Sequence, residues 1–138
     1  MSQVLDLEIV TPERKILSID VKDVVVPGID GSFGVYPGHA PLLTSLGVGE
    51  ISYEDQSGKH YLAAANGFVE VLPHRVTILA QVCESAREID VERAREAKRR
   101  AEETLKVAIT VSDQDMLMAE LSLKKALTRL TVAGRGRT

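Results

Sequence analysis

Hydrophobic and polar positions alternate along the first half of the chain and recur at helical spacing along the second. Leu5, Leu7 and Ile9 alternate with Asp6 and Glu8, the two-residue period of a half-buried strand. Val24-Val25-Val26 is a short apolar run that stops at Pro27-Gly28. Residues 50–54 and 59–63 flank Asp55-Gln56-Ser57-Gly58, which predicts a hairpin. Asn66-Gly67, the strongest short turn dipeptide present, predicts a further reversal before residues 68–72. Pro73-His74-Arg75 then turns into residues 76–82, where Val76, Ile78, Ala80 and Val82 share one face. Many short strands with frequent turns predict an antiparallel β-sandwich or flattened barrel.

After Glu84 glycine is absent until Gly134, and the period becomes helical. Ala94, Ala97, Ala101, Leu105 and Ala108 fall at i, i+3, i+7, i+11 and i+14, a narrow alanine-rich stripe among charged residues. A second helix carries Met116, Ala119, Leu123, Ala126, Leu127 and Leu130 on its apolar side. Ser112 is placed to cap it, with Asp115 three residues on and Val111 stapling against Met116. The short connection at 109–112 folds the two helices back as an antiparallel hairpin. The predicted fold is therefore α+β. A β-sandwich over residues 1–84 precedes a two-helix hairpin over residues 85–138. Alanine buries half or less of the area leucine would, at about 25 cal/mol per Å². So thin a seam lets the hairpin take more than one arrangement at modest cost.

One segment between the early strands is built for presentation. In Phe33-Gly34-Val35-Tyr36-Pro37-Gly38-His39-Ala40-Pro41-Leu42-Leu43-Thr44, two glycines and two prolines set the backbone around an aromatic and a histidine. Such a rigid shape suits a surface better than a core.

Charge divides at the boundary between the two halves. Residues 1–83 carry ten acidic and five basic side chains, and the remainder ten acidic and twelve basic. This asymmetry predicts an acidic protein partner for the helices ahead of nucleic acid. Aromatics make up only 4% of the chain, with no Trp, which argues against a base-stacking surface. The single Cys83 has no internal disulfide partner and fits a reducing compartment. No apolar run approaches the roughly 18 residues of a membrane span, and the N-terminus lacks the regions of a signal peptide.

Catalytic constellations are not found. His39, His60 and His74 occupy separate turn or strand contexts without ligand spacing, and no nucleophile elbow or phosphate loop occurs. Ile89-Asp90-Val91-Glu92-Arg93-Ala94 admits two readings. In one, Asp90 caps a helix and Ile89 staples against Ala94. In the other, Arg93 holds a phosphate or carboxylate and Asp90 accepts hydrogen bonds from a polar ligand. Lys98-Arg99-Arg100 likewise reads as a solvated face or as a contact with an acidic partner.

Several stretches together resemble one family. They are Gly34-Val35-Tyr36-Pro37-Gly38-His39-Ala40-Pro41-Leu42-Leu43-Thr44, Asn66-Gly67-Phe68-Val69-Glu70-Val71, Val76-Thr77-Ile78-Leu79-Ala80, Glu92-Arg93-Ala94, Ala119-Glu120-Leu121-Ser122-Leu123-Lys124-Lys125-Ala126 and Arg129-Leu130. The chain is identified by them as a member of the F-type ATP synthase epsilon subunit family over nearly its whole length. The resemblance implies a non-catalytic rotor subunit on the central stalk, bound to the gamma subunit and the c-ring, that needs no cofactor. It implies a rotor interface around Ser32, Tyr36, Pro37 and His39, although Ser32 stands where relatives often carry an acidic residue. It also implies a hairpin that opposes ATP hydrolysis through basic residues facing the beta (and alpha) subunits, here Arg93, Lys98, Arg99, Arg100, Lys124, Lys125 and Arg129. Some members bind ATP as a regulatory ligand in the folded hairpin. Glu84, Ile89, Asp90, Arg93, Ala94 and Arg129 match that site, while Lys125 departs from the arginine of the best binders. The expected location is peripheral, on the cytoplasmic face of the bacterial inner membrane, with the stromal face of the plastid thylakoid second. The alternative role is a free-standing ATP-binding sensor that uses the same hairpin as a clamp.

Overall fold

The computed structural model describes residues 3–107 and 111–135. Seven strands precede two helices: β1 Leu5–Val10, β2 Lys15–Val21, β3 Asp23–Gly28, β4 Gly31–Val35, β5 Leu42–Asp55, β6 Gly58–Leu72, β7 Arg75–Ser85, α1 Val91–Lys106 and α2 Asp113–Arg135. The strands form one continuous sheet in the order β2-β1-β7-β6-β5-β3-β4. That sheet curls into a sandwich, closing where the Lys22 N–H donates to the Glu54 carbonyl at 2.7 Å. Leu5, Leu7 and Ile9 are fully buried, as their alternation predicts, with Val24, Val26, Val69, Val71, Val76 and Ile78 in the same core. The ladder is antiparallel except where β1 runs parallel to β7. This pairing joins the chain's first strand to its last.

Three expectations need correction. Asn66-Gly67 is not a turn: both residues lie inside β6, and β6 stays in unbroken register with β5 and β7 across them. Asn66 does have the positive φ, 59°, that makes the dipeptide a turn signal, and Gly67 follows at φ 142°. Here the two kink a long strand without reversing it. Secondly, Val82 does not share a face with Val76, Ile78 and Ala80, because it is Cys83 that joins the core. The alternation slips by one residue at the same level in β5, between Leu46 and Ile51, and in β6, between Ala64 and Val69. The sheet bends along this line, and the bend brings β3 close: a Cβ on Gly49 would stand 2.7 Å from the Pro27 Cβ. Thirdly, Leu127 is exposed, whereas Val132 and Ala133, beyond the predicted stripe, are buried.

The helix caps follow the sequence. Asp90 Oδ1 accepts from the Arg93 N–H at 3.1 Å, and Ser112 Oγ accepts from the Asp115 N–H at 3.1 Å. Ala94 and Ala101 of α1 and Ala119 and Ala126 of α2 are buried, while Ala97 and Leu105 are half-buried. Ala108 and the first part of the predicted connection lie outside the described residues.

Candidate functional site

The hairpin is folded down onto the sandwich. α1 packs on α2, and the second half of α2 crosses β5 and β6. Their contact is a small apolar cluster of Ala63, Ala86, Ile89, Val132 and Ala133, flanked by Tyr61 and Val91. Three guanidinium–carboxylate pairs surround it. Arg129 Nε donates to Glu84 Oε1 at 2.7 Å, and Arg135 Nε donates to Glu50 Oε2 at 2.7 Å. Arg14 pairs with Glu88 in the 3-10 turn that leads from β7 to α1. The Glu88 carboxylate also accepts from the Ser85 N–H at 3.1 Å and the Ser85 Oγ–H at 3.0 Å. Those Ser85 bonds, with the Arg14 charge, hold Glu88 below the usual carboxylate range.

The residues of the implied nucleotide site fall into two groups. Glu84 and Arg129 satisfy one another between β7 and α2. The space they line with Val48, Ala63, Ala65, Lys125 and Thr128 is only about 10 Å³, room for no more than a water. Ile89 and Ala94 are buried, Asp90 is engaged as the cap, and Arg93 is exposed at the first turn of α1. Beside that turn, Val91, Arg95, Leu130, Ala133 and Gly134 line a cleft of about 360 Å³.

The basic residues of α1 are partly committed within the helix. Arg99 is bound to Glu96 and Glu103 at 2.7 Å, and Arg100 to Glu96 at 3.2 Å. The Arg99 hydrogen bond, then the Arg99 and Arg100 charges, pull Glu96 down to about 2. Lys98, Lys124, Lys125 and Arg93 make no ion pair among the described residues.

At the far end of the sandwich the structure separates the implied rotor residues. Ser32 lies at the β3–β4 turn end of β4, and Tyr36, Pro37 and His39 lie in the loop after its other end, about 13 Å along the strand. The loop is fixed: the Gly38 N–H donates to the Pro73 carbonyl at 2.7 Å, and the His39 N–H to the Tyr36 carbonyl at 3.2 Å. His39 Nδ1 lies 2.6 Å from the Ala40 carbonyl, so its ring N–H donates locally. Tyr36 is left exposed. Sequence reading missed the apolar surface beside this loop. Leu43 (71% exposed), Phe68 (58%) and Leu79 (50%) stand on the outer side of the sheet, with Phe68 paired to Leu79, and Ile29 (66%) is exposed in the β3–β4 turn. Phe68 and Leu79 are out of phase with Val69, Val71 and Ile78, the signal that could have marked them. On the same outer side, past the bend, the sheet is covered by α2.

Two family models divide the chain between them. The ATP synthase delta/epsilon chain beta-sandwich domain matches residues 4–86, and the delta/epsilon chain long alpha-helix domain matches residues 87–134. Among full-length relatives, the ATP synthase epsilon chain of Geobacter sp. (strain M21) is 44% identical over 98% of this chain and 97% of its own. ATP synthase epsilon chain 2 of Syntrophotalea carbinolica is 45% identical over 99% and 98%. The fold is shared with a chain of the Euglena gracilis mitochondrial ATP synthase OSCP/F1/c-ring assembly. There the TM-score is 0.80 at 22% identity, over 96% of this chain and 82% of that one. The two models in tandem, and relatives of equal length, leave one assignment: the chain belongs to the ATP synthase delta/epsilon chain family, as an accessory subunit and not a catalytic one.

Proposed function

We propose that this subunit sits on the central stalk of an F-type ATP synthase, docked by its sandwich to the gamma subunit and c-ring, with the hairpin as a movable arm. It is peripheral, on the cytoplasmic face of the bacterial membrane, and shares in coupling proton flow to ATP synthesis. Among the described residues no helix is long and apolar enough to cross a membrane. The full-length match to epsilon chains favours this role over a free-standing ATP sensor. The rigid Tyr36–His39 loop and the apolar row of Leu43, Phe68 and Leu79 are the docking surface.

One observation carries the regulatory half. The hairpin meets the sandwich through a cluster of five buried residues, three of them alanines, whereas the sandwich core is dense and independent of it. An arm so lightly attached can leave without unfolding its base. Once released, it presents Arg93, Lys98, Lys124 and Lys125 to the acidic surface of the catalytic head and opposes ATP hydrolysis. A chain ending after Ser85 is expected to assemble and to raise the hydrolysis rate of the synthase severalfold. An unchanged rate would remove the inhibitory role.

ATP is the proposed regulatory ligand of the folded arm, held at the start of α1 by Arg93 and Asp90, with Glu84 and Arg129 behind. With the arm folded, Glu84 and Arg129 close on one another, so nucleotide entry must separate them. Titrating ATP into the full chain should give saturable compaction that Arg93→Ala weakens at least tenfold, the loss of a charge-assisted contact. Absence of saturable binding in the unaltered chain would dismiss the nucleotide.

A further inference from the structure

The last turn of α2 makes a contact that neither the docking surface nor the nucleotide site uses. Arg135 Nε donates to Glu50 Oε2 at 2.7 Å, and the same guanidinium carbon lies 4.8 Å from the centroid of the Tyr61 ring. Glu50 is on β5 and Tyr61 on β6, so one side chain grips two strands. Val132 and Ala133 of the same turn enter the apolar cluster beside Tyr61. The Glu50 hydrogen bond, then the Glu50 charge, raises the Arg135 pKa against the opposing effect of burial. On the next turn up, Arg129 meets Glu84. In both pairs the sandwich supplies the anion and the hairpin the cation, which is the charge division legible in the sequence.

We infer that Glu50, Tyr61 and Arg135 form a clasp that holds the arm folded with no ligand present, so that the acidic sandwich is the arm's resting partner. The clasp is ionic and half-exposed, with side-chain exposures of 47% for Arg135 and 21% for Glu50, so salt weakens it. It also makes the two positions of the arm exclusive, since a guanidinium bound to Glu50 cannot meet an acidic surface elsewhere. The inference rests on the proposal that the hairpin moves, and deepens it by naming what holds the resting state.

The test uses the full chain, with spin labels on Ser18→Cys and Glu102→Cys. Cys83 stays unlabelled because burial hides it and pushes its thiol up to about 12. The ratio of open to folded hairpin is read as salt is raised from low to about 0.5 M, which shortens the Debye length to about 4 Å. Salt should open the unaltered arm. Arg135→Gln, which loses both partners, should raise the open ratio about fivefold to tenfold, Glu50→Gln and Tyr61→Leu about threefold each, and Arg99→Gln not at all. Exchanging the charges, Glu50→Arg with Arg135→Glu, should recover part of the loss. An arm that stays folded at every salt concentration, or Glu50→Gln and Arg135→Gln within twofold of the unaltered ratio, overturns the clasp. If the clasp variants open the arm but leave hydrolysis by the assembled synthase unchanged, the clasp stands and the regulatory proposal falls.

Discussion

Gly67→Ala is expected to destabilise the sandwich by about 3–5 kcal/mol, read as a fall in the urea midpoint of the full chain at constant slope. An added Cβ would stand 1.8 Å from the Leu79 carbonyl oxygen and 2.9 Å from its carbon. Both atoms are backbone of the neighbouring strand, in register with β6 on either side, so neither can swing away. The residue's φ of 142° adds strain that an L side chain meets at a cost of about 1–3 kcal/mol. Forcing β6 and β7 apart adds roughly as much again. Gly31→Ala, whose Cβ would meet nothing within 4 Å although its φ is also positive, should cost only the strain. Equal costs at the two glycines would show that the close approach of β6 to β7 is not what Gly67 provides.

Val132→Asp should detach the hairpin and leave the sandwich folded. Val132 is fully buried where α2 meets Ala63, Ala86 and Ile89. Its burial is worth about 1.5–3 kcal/mol, and the partly exposed ion pairs around it about 0.2–1 kcal/mol each. Keeping an unpaired carboxylate in that cluster costs several kcal/mol, more than the remaining contacts return. The cheaper outcome is an open arm. Spin-label separation between sandwich and hairpin should lengthen to one extended population, while the sandwich keeps its unfolding free energy within about 0.5 kcal/mol. A sandwich destabilised as much as by Gly67→Ala would mean that arm and base fold as one unit.

How much of this was legible depended on the range of the signal. The period-two run of Leu5, Leu7 and Ile9 and the alanine stripe through Ala94 and Ala101 are set by neighbours in the chain, and both were readable. So were the caps at Asp90 and Ser112, which depend on residues three positions away. Asn66-Gly67 misled because a dipeptide reports its own backbone angles, correctly positive here, but not whether strands pair along both edges. The edge strands β2 and β4 carry weak alternation, since each is covered on one side only. Of the candidate site, the family resemblance singled out Glu84 and Arg129, but not that they bind one another. Glu50 with Arg135, and Arg14 with Glu88, join positions far apart in sequence and leave no local pattern.

The central claim is that the hairpin rests folded on the sandwich and inhibits only when it leaves. The most direct measurement is ATP hydrolysis by synthase assembled with the unaltered chain, with Val132→Asp, or with a chain ending after Ser85. The truncated chain should give the fastest hydrolysis, the unaltered chain an intermediate rate, and Val132→Asp, its arm permanently released, the slowest. Equal rates from all three would contradict the claim.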